Sequence, residues 1–106
     1  MERKFKTVSL NIVELNEIGD SVEGIVELIS DAPFEIYNEF TKQNETPELL
    51  TLKDDENEIK HLFYNNSLKR TFNFANISIG DYVKITYQGK DKKENKYHQY
   101  KVDLAY

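Results

Sequence analysis

Ile79–Lys101, I-G-D-Y-V-K-I-T-Y-Q-G-K-D-K-K-E-N-K-Y-H-Q-Y-K, carries the clearest structural pattern in the chain. Gly80-Asp81 is a turn pair: glycine accepts φ > 0, and aspartate bonds the backbone close by. From Tyr82 to Gln88 the residues alternate. Val83, Ile85 and Tyr87 fall on one side, with Tyr82, Lys84, Thr86 and Gln88 on the other. That period of two belongs to a half-buried strand. Gly89–Lys96 is polar, and four of its eight residues are lysine. Alternation resumes from Tyr97 to Leu104, with Tyr100, Val102 and Leu104 facing the core and Tyr97, Gln99 and Lys101 facing away. The pattern predicts a β-hairpin with a lysine-loaded tip. Its open face mixes flat rings with cations, the combination that holds bases and phosphates of a single strand.

The whole chain is 106 residues, one domain by length. Thirteen Phe and Tyr side chains and no Trp favour a sheet-rich fold whose core uses those rings. Cysteine is absent, which excludes disulfides and thiolate metal sites. No apolar run reaches the roughly 20 residues of a membrane helix. Met1–Thr7 lacks the apolar centre of a secretion signal, so a cytoplasmic location is expected. The net charge of −5 is unevenly spread. Residues 1–13 carry three cations and one acid; residues 14–58 carry two cations and fourteen acids; residues 59–106 carry nine cations and four acids. Such asymmetry predicts one anion-attracting face and one that repels anions, unless folding interleaves the segments.

Phe5–Leu15 alternates and predicts an N-terminal strand beside the main sheet, with an edge through which a homodimer could form. Ser21–Ser30 is a second strong strand. Its apolar residues lie on both parities, which implies a strand covered on both sides or one whose parity shifts at a bulge, and Gly24 inside it fits a bulge or a sharp coil. Ile-Gly-Asp-x-Val occurs at 18–22 and again at 79–83, and predicts the same turn-to-strand chemistry twice. Asp31–Pro47 reads as a functional loop or a short helical turn, and its Tyr37 and Phe40 could stack bases or form the loop's own small core. Glu48–Lys53 and Glu58–Tyr64 form another hairpin. Leu50 and Leu52 face inward, while the inward face of the second arm is left open by its pattern. The turn Asp54-Asp55-Glu56-Asn57 lacks calcium-loop spacing, so no metal site is expected. Asn65–Asn76 predicts a short helix with Leu68, Phe72 and Ala75 on one stripe and Ser67 as its cap.

Nothing resembles a nucleophile–base arrangement or a glycine-rich phosphate loop, so the sequence predicts no enzyme, no catalytic residue and no cofactor. The order strand, coiled strand, hairpin, helix, hairpin is that of a mainly β, five-stranded OB-type barrel. One short helix falls between strands 3 and 4, and there is an extra N-terminal strand. With I-G-D-S-V-E-G-I-V, E-L-L-T-L-K-D-D-E-N, L-K-R-T-F and the G-D-x-V-x-I-x-Y-x-G-K hairpin, residues 17–104 resemble the small OB-fold single-stranded DNA-binding proteins of bacteriophages. The tip lacks the family's usual glycine, with Asn95 available instead, and Ala105-Tyr106 is not the acidic tail by which bacterial single-strand binders recruit partners. The resemblance implies single-stranded DNA binding without strong sequence preference, in phage replication or recombination inside a bacterial cell, alongside the proteins of those processes.

On the sequence reading, Lys84, Lys90, Lys92, Lys93, Lys96 and Lys101 track phosphates. Lys53, Lys60, Lys69 and Arg70 are secondary, and Thr86 lies on the same face. Tyr82 and Tyr97 stack bases, helped by Tyr37 and Phe40, or else Tyr82 and Tyr97 simply pair across the hairpin. The competing expectation is a protein-interaction module whose acidic 14–58 segment mimics DNA or inhibits a host protein.

Overall fold

The computed structural model describes residues 11–90 and 97–106. Among these residues, seven strands and one helix follow in order: β1 (Ser21–Asp31), β2 (Ile36–Asn38), β3 (Gln43–Glu45), β4 (Glu48–Lys53), β5 (Ile59–Phe63), α1 (Asn66–Phe74), β6 (Tyr82–Lys90) and β7 (His98–Leu104). Five form an antiparallel sheet in the order β5-β4-β1-β6-β7, and β2 and β3 form a separate ribbon.

The alternation in the sequence carries directly into burial. Val22 and Val26 of β1, Leu50 and Leu52 of β4, Leu62 of β5, and Val83 and Ile85 of β6 meet Leu68 and Phe72 of α1 in one core. Tyr64 closes it beside Phe72, the two rings edge to face at 5.4 Å. The mixed parity of β1 comes from a bulge, one of the two causes the sequence leaves open. Register shifts between Val26 and Leu28, after which Ile29 rather than Leu28 turns inward. Gly24 is not the bulge. A Cβ there would lie 2.8 Å from the Lys53 carbonyl oxygen, so its bare backbone allows β4 to cross β1 closely.

The two Ile-Gly-Asp segments make the same turn. Gly19 and Gly80 have φ of +97° and +99°. Asp20 N–H donates to the Glu17 carbonyl, and Asp81 N–H to that of Ser78. Each aspartate side chain accepts from the first residue of its own turn. The repetition is therefore turn chemistry used twice.

Three expectations need correction. The sheet is not closed into a barrel. The outer edge of β5 is taken by the N-terminal segment, where His61 N–H donates to the Asn11 carbonyl and Val13 N–H to that of His61. A cavity of about 260 Å³ lies between β5 and β7, lined by Val13, Leu15, Leu62, Leu68, His98 and Tyr100 among others. Second, residues 31–47 are neither helical nor structureless, because Tyr37 and Asn38 pair with Asn44 and Gln43 in the β2–β3 ribbon. Third, the helix cap is Asn65, whose Oδ1 accepts from Leu68 N–H, and not Ser67; the third residue of the expected stripe, Ala75, is exposed at the helix end. Asn65 also donates from Nδ2 to the Tyr100 hydroxyl at 2.9 Å, tying the helix start to β7. Of the predicted strand Phe5–Leu15, residues 5–10 lie outside the described residues.

Gly24→Ala should destabilise the fold by about 1–3 kcal/mol, the usual cost of overpacking a tight site. Chemical denaturation followed by circular dichroism measures it. An unchanged midpoint would mean that β4 and β1 do not approach as closely as the geometry requires.

Candidate nucleic-acid interface

Tyr82 and Tyr97 lie at opposite ends of the β6–β7 hairpin. Tyr82 opens β6 where its carbonyl accepts from Ala105 N–H, whereas Tyr97 precedes His98, which pairs with Lys90 at the far end of β6. Eight residues of strand separate those ends, roughly 26 Å at about 3.3 Å per residue. The two rings form neither one stacking platform nor a cross-strand pair.

The Tyr82 end is acidic. The Tyr82 hydroxyl donates to Glu23 Oε2 at 2.9 Å and reaches Asp55 Oδ2 at 3.5 Å. Glu23, Asp54, Asp55, Glu56 and Glu58 line the depression around it, with Lys60 the one cation among its described lining residues. The hydrogen bond to Glu23 stabilises the neutral phenol, and desolvation and the Asp55 charge add to this, so the Tyr82 pKa is pushed up to about 12. Lys60 is held by Asp54 at 3.4 Å. Asp54 in turn accepts from the N–H groups of Glu56 and Glu58, and the bond from Glu58 contributes most to lowering its pKa.

The middle of the outer sheet face is mixed. Lys84 stands between Glu23 of β1 and Asp103 of β7 in the strand register, and Lys101, paired with Thr86, lies 3.8 Å from Asp103. A cation ladder along β6 and β7 is therefore interrupted by carboxylates. On β4, Lys53 is half-buried and registers between Ile25 and Ile59. Tyr37 and Phe40 are 61% and 99% exposed on the β2–β3 ribbon, apart from both ends of the hairpin and among Glu35, Glu39 and Glu45. Lys92, Lys93 and Lys96 lie outside the described residues.

The Tyr97 end is different in kind. The Arg70 guanidinium lies 5.9 Å from the centre of the Tyr97 ring, within cation–π range. Both border an open groove of about 520 Å³ between α1 and β7, shared with Ser67, Thr71, Gln88, His98, Gln99 and Tyr100. The groove continues along the helix past Asn65, Asn66, Lys69 and Asn73. Among the described residues, none of its lining side chains is a carboxylate. Lys69 is bonded to Glu48, and that hydrogen bond is the main reason its pKa is raised. Arg70 has no carboxylate within ion-pair distance among the described residues. Beneath the rim, the Tyr87 hydroxyl and His98 Nδ1 are 2.6 Å apart, and Tyr87 packs against His98 and Tyr100 at 5.5 and 5.6 Å. A ring and a cation thus stand on a braced floor, with amides and hydroxyls around them.

Arg70, Lys69 and Tyr97 are singled out by the sequence, Arg70 and Lys69 in second place; His98, Gln99 and the Asn65–Ser67 run join them only in the folded chain. The usable signal was the position of Lys69 and Arg70 off the buried stripe of α1, facing whatever strand packs there. Among the described residues no acid or histidine cluster is arranged to hold a metal ion, and no helix is long and apolar enough to cross a membrane. Comparison of the chain with protein-family models, curated proteins and solved structures finds no match.

A tyrosine whose folded pKa lies above its ordinary value of about 10 adds stability that is complete below that pH. The contribution is lost as pH rises through the folded value. Glu23→Gln should therefore bring the Tyr82 titration down toward 10 from about 12. Ultraviolet titration compared with Tyr82→Phe assigns the transition; a Tyr82 titration unmoved by Glu23→Gln contradicts the hydrogen-bonded pair.

Proposed function

We propose that the protein binds single-stranded DNA without strong sequence preference, through the groove between α1 and β7. The observation that carries this reading is the groove itself, with no carboxylate among its described lining residues, Arg70 over Tyr97 and His98 beside them, in a chain with more acids than cations. A ring stacks any base, a guanidinium meets phosphate or stacks in turn, and amides and hydroxyls bond sugar and base edges. Lys90, exposed at the end of β6, extends the track toward the lysine-rich connection to β7. The sheet order β5-β4-β1-β6-β7 supports the OB class as a partly open barrel, with the seam between β5 and β7 left without strand pairing. In this reading the resemblance to phage single-strand binders extends to a role in DNA replication or recombination in the bacterial cytoplasm.

The protein-interaction reading draws on the other end. Five carboxylates around Tyr82 present a compact acidic surface, suited to a basic protein patch or to mimicry of DNA. It predicts a nuclease-resistant one-to-one complex with a host protein that is lost in an Asp55→Asn, Glu56→Gln variant.

Fluorescence titration of labelled oligo-dT at two salt concentrations tests the primary reading. Tyr97→Ala should weaken binding by about 1–3 kcal/mol, the range for one stacked ring. Arg70→Gln should flatten the salt dependence by about 0.7 in slope if one phosphate contact is lost. Tyr82→Ala should leave affinity unchanged. Absence of binding at low salt, or equal losses from Tyr82→Ala and Tyr97→Ala, would overturn the proposal.

A further inference from the structure

Phe40 does not line the groove. It stands in the turn joining β2 and β3 and is 99% exposed. The turn is built to keep it there. Asn38 Oδ1 accepts from the N–H groups of Phe40 and Thr41, and Lys42 N–H donates to the Asn38 carbonyl. Asn38 Nδ2 and Thr41 Oγ1 both donate to the Glu45 carboxylate. Lys42 takes the left-handed backbone, φ +57°, to complete the return. Five hydrogen bonds thus fix a short ribbon whose leading side chain is a bare phenyl ring. Tyr37 and Ile36 on β2 are exposed behind it.

The surroundings say what kind of surface would accept this ring. Glu35, Glu39 and Glu45 are exposed on or beside the ribbon and Lys42 is its one cation. A polyanion would be repelled there, so the ring is poorly placed to stack bases. Its complement is a groove with an accessible cation, a flat ring and no acids. The chain carries one such surface among the described residues, the Arg70–Tyr97 groove between α1 and β7. The ring is exposed and so does not occupy the groove of its own chain.

We propose that the acidic Phe40 turn of one copy docks into the Arg70–Tyr97 groove of a second copy. Phe40 would lie against the guanidinium and the Tyr97 ring, with Glu39 facing the cationic helix. The contact joins two different surfaces, so it is heterologous: it propagates head to tail and closes only if the rotation between copies permits. It also occupies the groove that the proposed function assigns to DNA, so the two would compete. The self-contact does not depend on that assignment.

Sedimentation velocity over a concentration series at low and high salt tests the contact. The wild-type protein should assemble at low salt and dissociate at high salt. Phe40→Ser and Arg70→Glu, both at exposed positions, should each sediment as monomers. Mixed together they should pair, because one keeps the groove and the other keeps the turn, and growth should stop at twice the monomer mass. A wild-type protein that stays monomeric, or two variants that fail to pair, overturns the proposal. Oligo-dT should disperse the wild-type assembly. Assemblies that survive saturating oligo-dT, while the variants still pair as expected, uphold the self-contact and count against the groove as the DNA site.

Discussion

Everything else in the sheet hangs on the pairing of β1 with β6, because each of these strands also carries an outer neighbour, β4 on β1 and β7 on β6. The pair is sealed the same way at both ends. Val26 N–H donates to the Asp81 carbonyl and its own carbonyl accepts from Gly80 N–H; Tyr87 N–H donates to the Asp20 carbonyl and its own accepts from Gly19 N–H. The β1–β6 pairing is therefore gripped at each end by the Ile-Gly-Asp turn that starts one of its strands. Only a residue at ease with φ near +100° fits the third position of such a turn, which is why glycine stands there twice. With the ends fixed, register cannot slip, and a slip of one residue would exchange the buried Val83 and Ile85 for Lys84 and Thr86.

The same constraint separates the two tyrosines that the sequence places on one face. Alternation within a strand is local and was legible, so the inward set Val83, Ile85 and Tyr87 and the outward set Lys84, Thr86 and Gln88 are as expected. What Tyr82 meets is not local. The β1–β6 register sets Tyr82 beside Ile25, and β4 turns back at Asp54-Asp55 on the adjoining edge, so two carboxylates 59 and 27 positions away converge on one hydroxyl. No window of sequence contains that meeting.

Other misses have similarly specific causes. Asn65 and Ser67 are both capping residues two positions apart, and composition cannot choose between them; the Asn65 side chain wins because it also bonds Tyr100 across the seam. In β5 the parity was unreadable because both sides are covered. Leu62 faces the core, while Phe63 on the other side packs edge to face with Phe34 at 6.3 Å. Barrel closure was expected from element order alone, but order does not record that residues 11–13 occupy the β5 edge.

A net charge of −5 is a poor guide to what the groove can hold. Repulsion between exposed charges fades over a Debye length of about 8–10 Å at 0.1–0.15 M salt. The acidic depression lies at the other end of a hairpin whose strands span roughly 26 Å, at about 3.3 Å per residue. At that separation the acids weaken long-range attraction of a polyanion but scarcely alter local contacts made at Arg70 and Tyr97. A nearer carboxylate matters more. Glu48 holds Lys69 and so withdraws a cation from use without itself lining the groove. On the proposed reading, affinity therefore rests on stacking and a small number of phosphate contacts rather than on a broad basic surface, and its dependence on salt is correspondingly shallow.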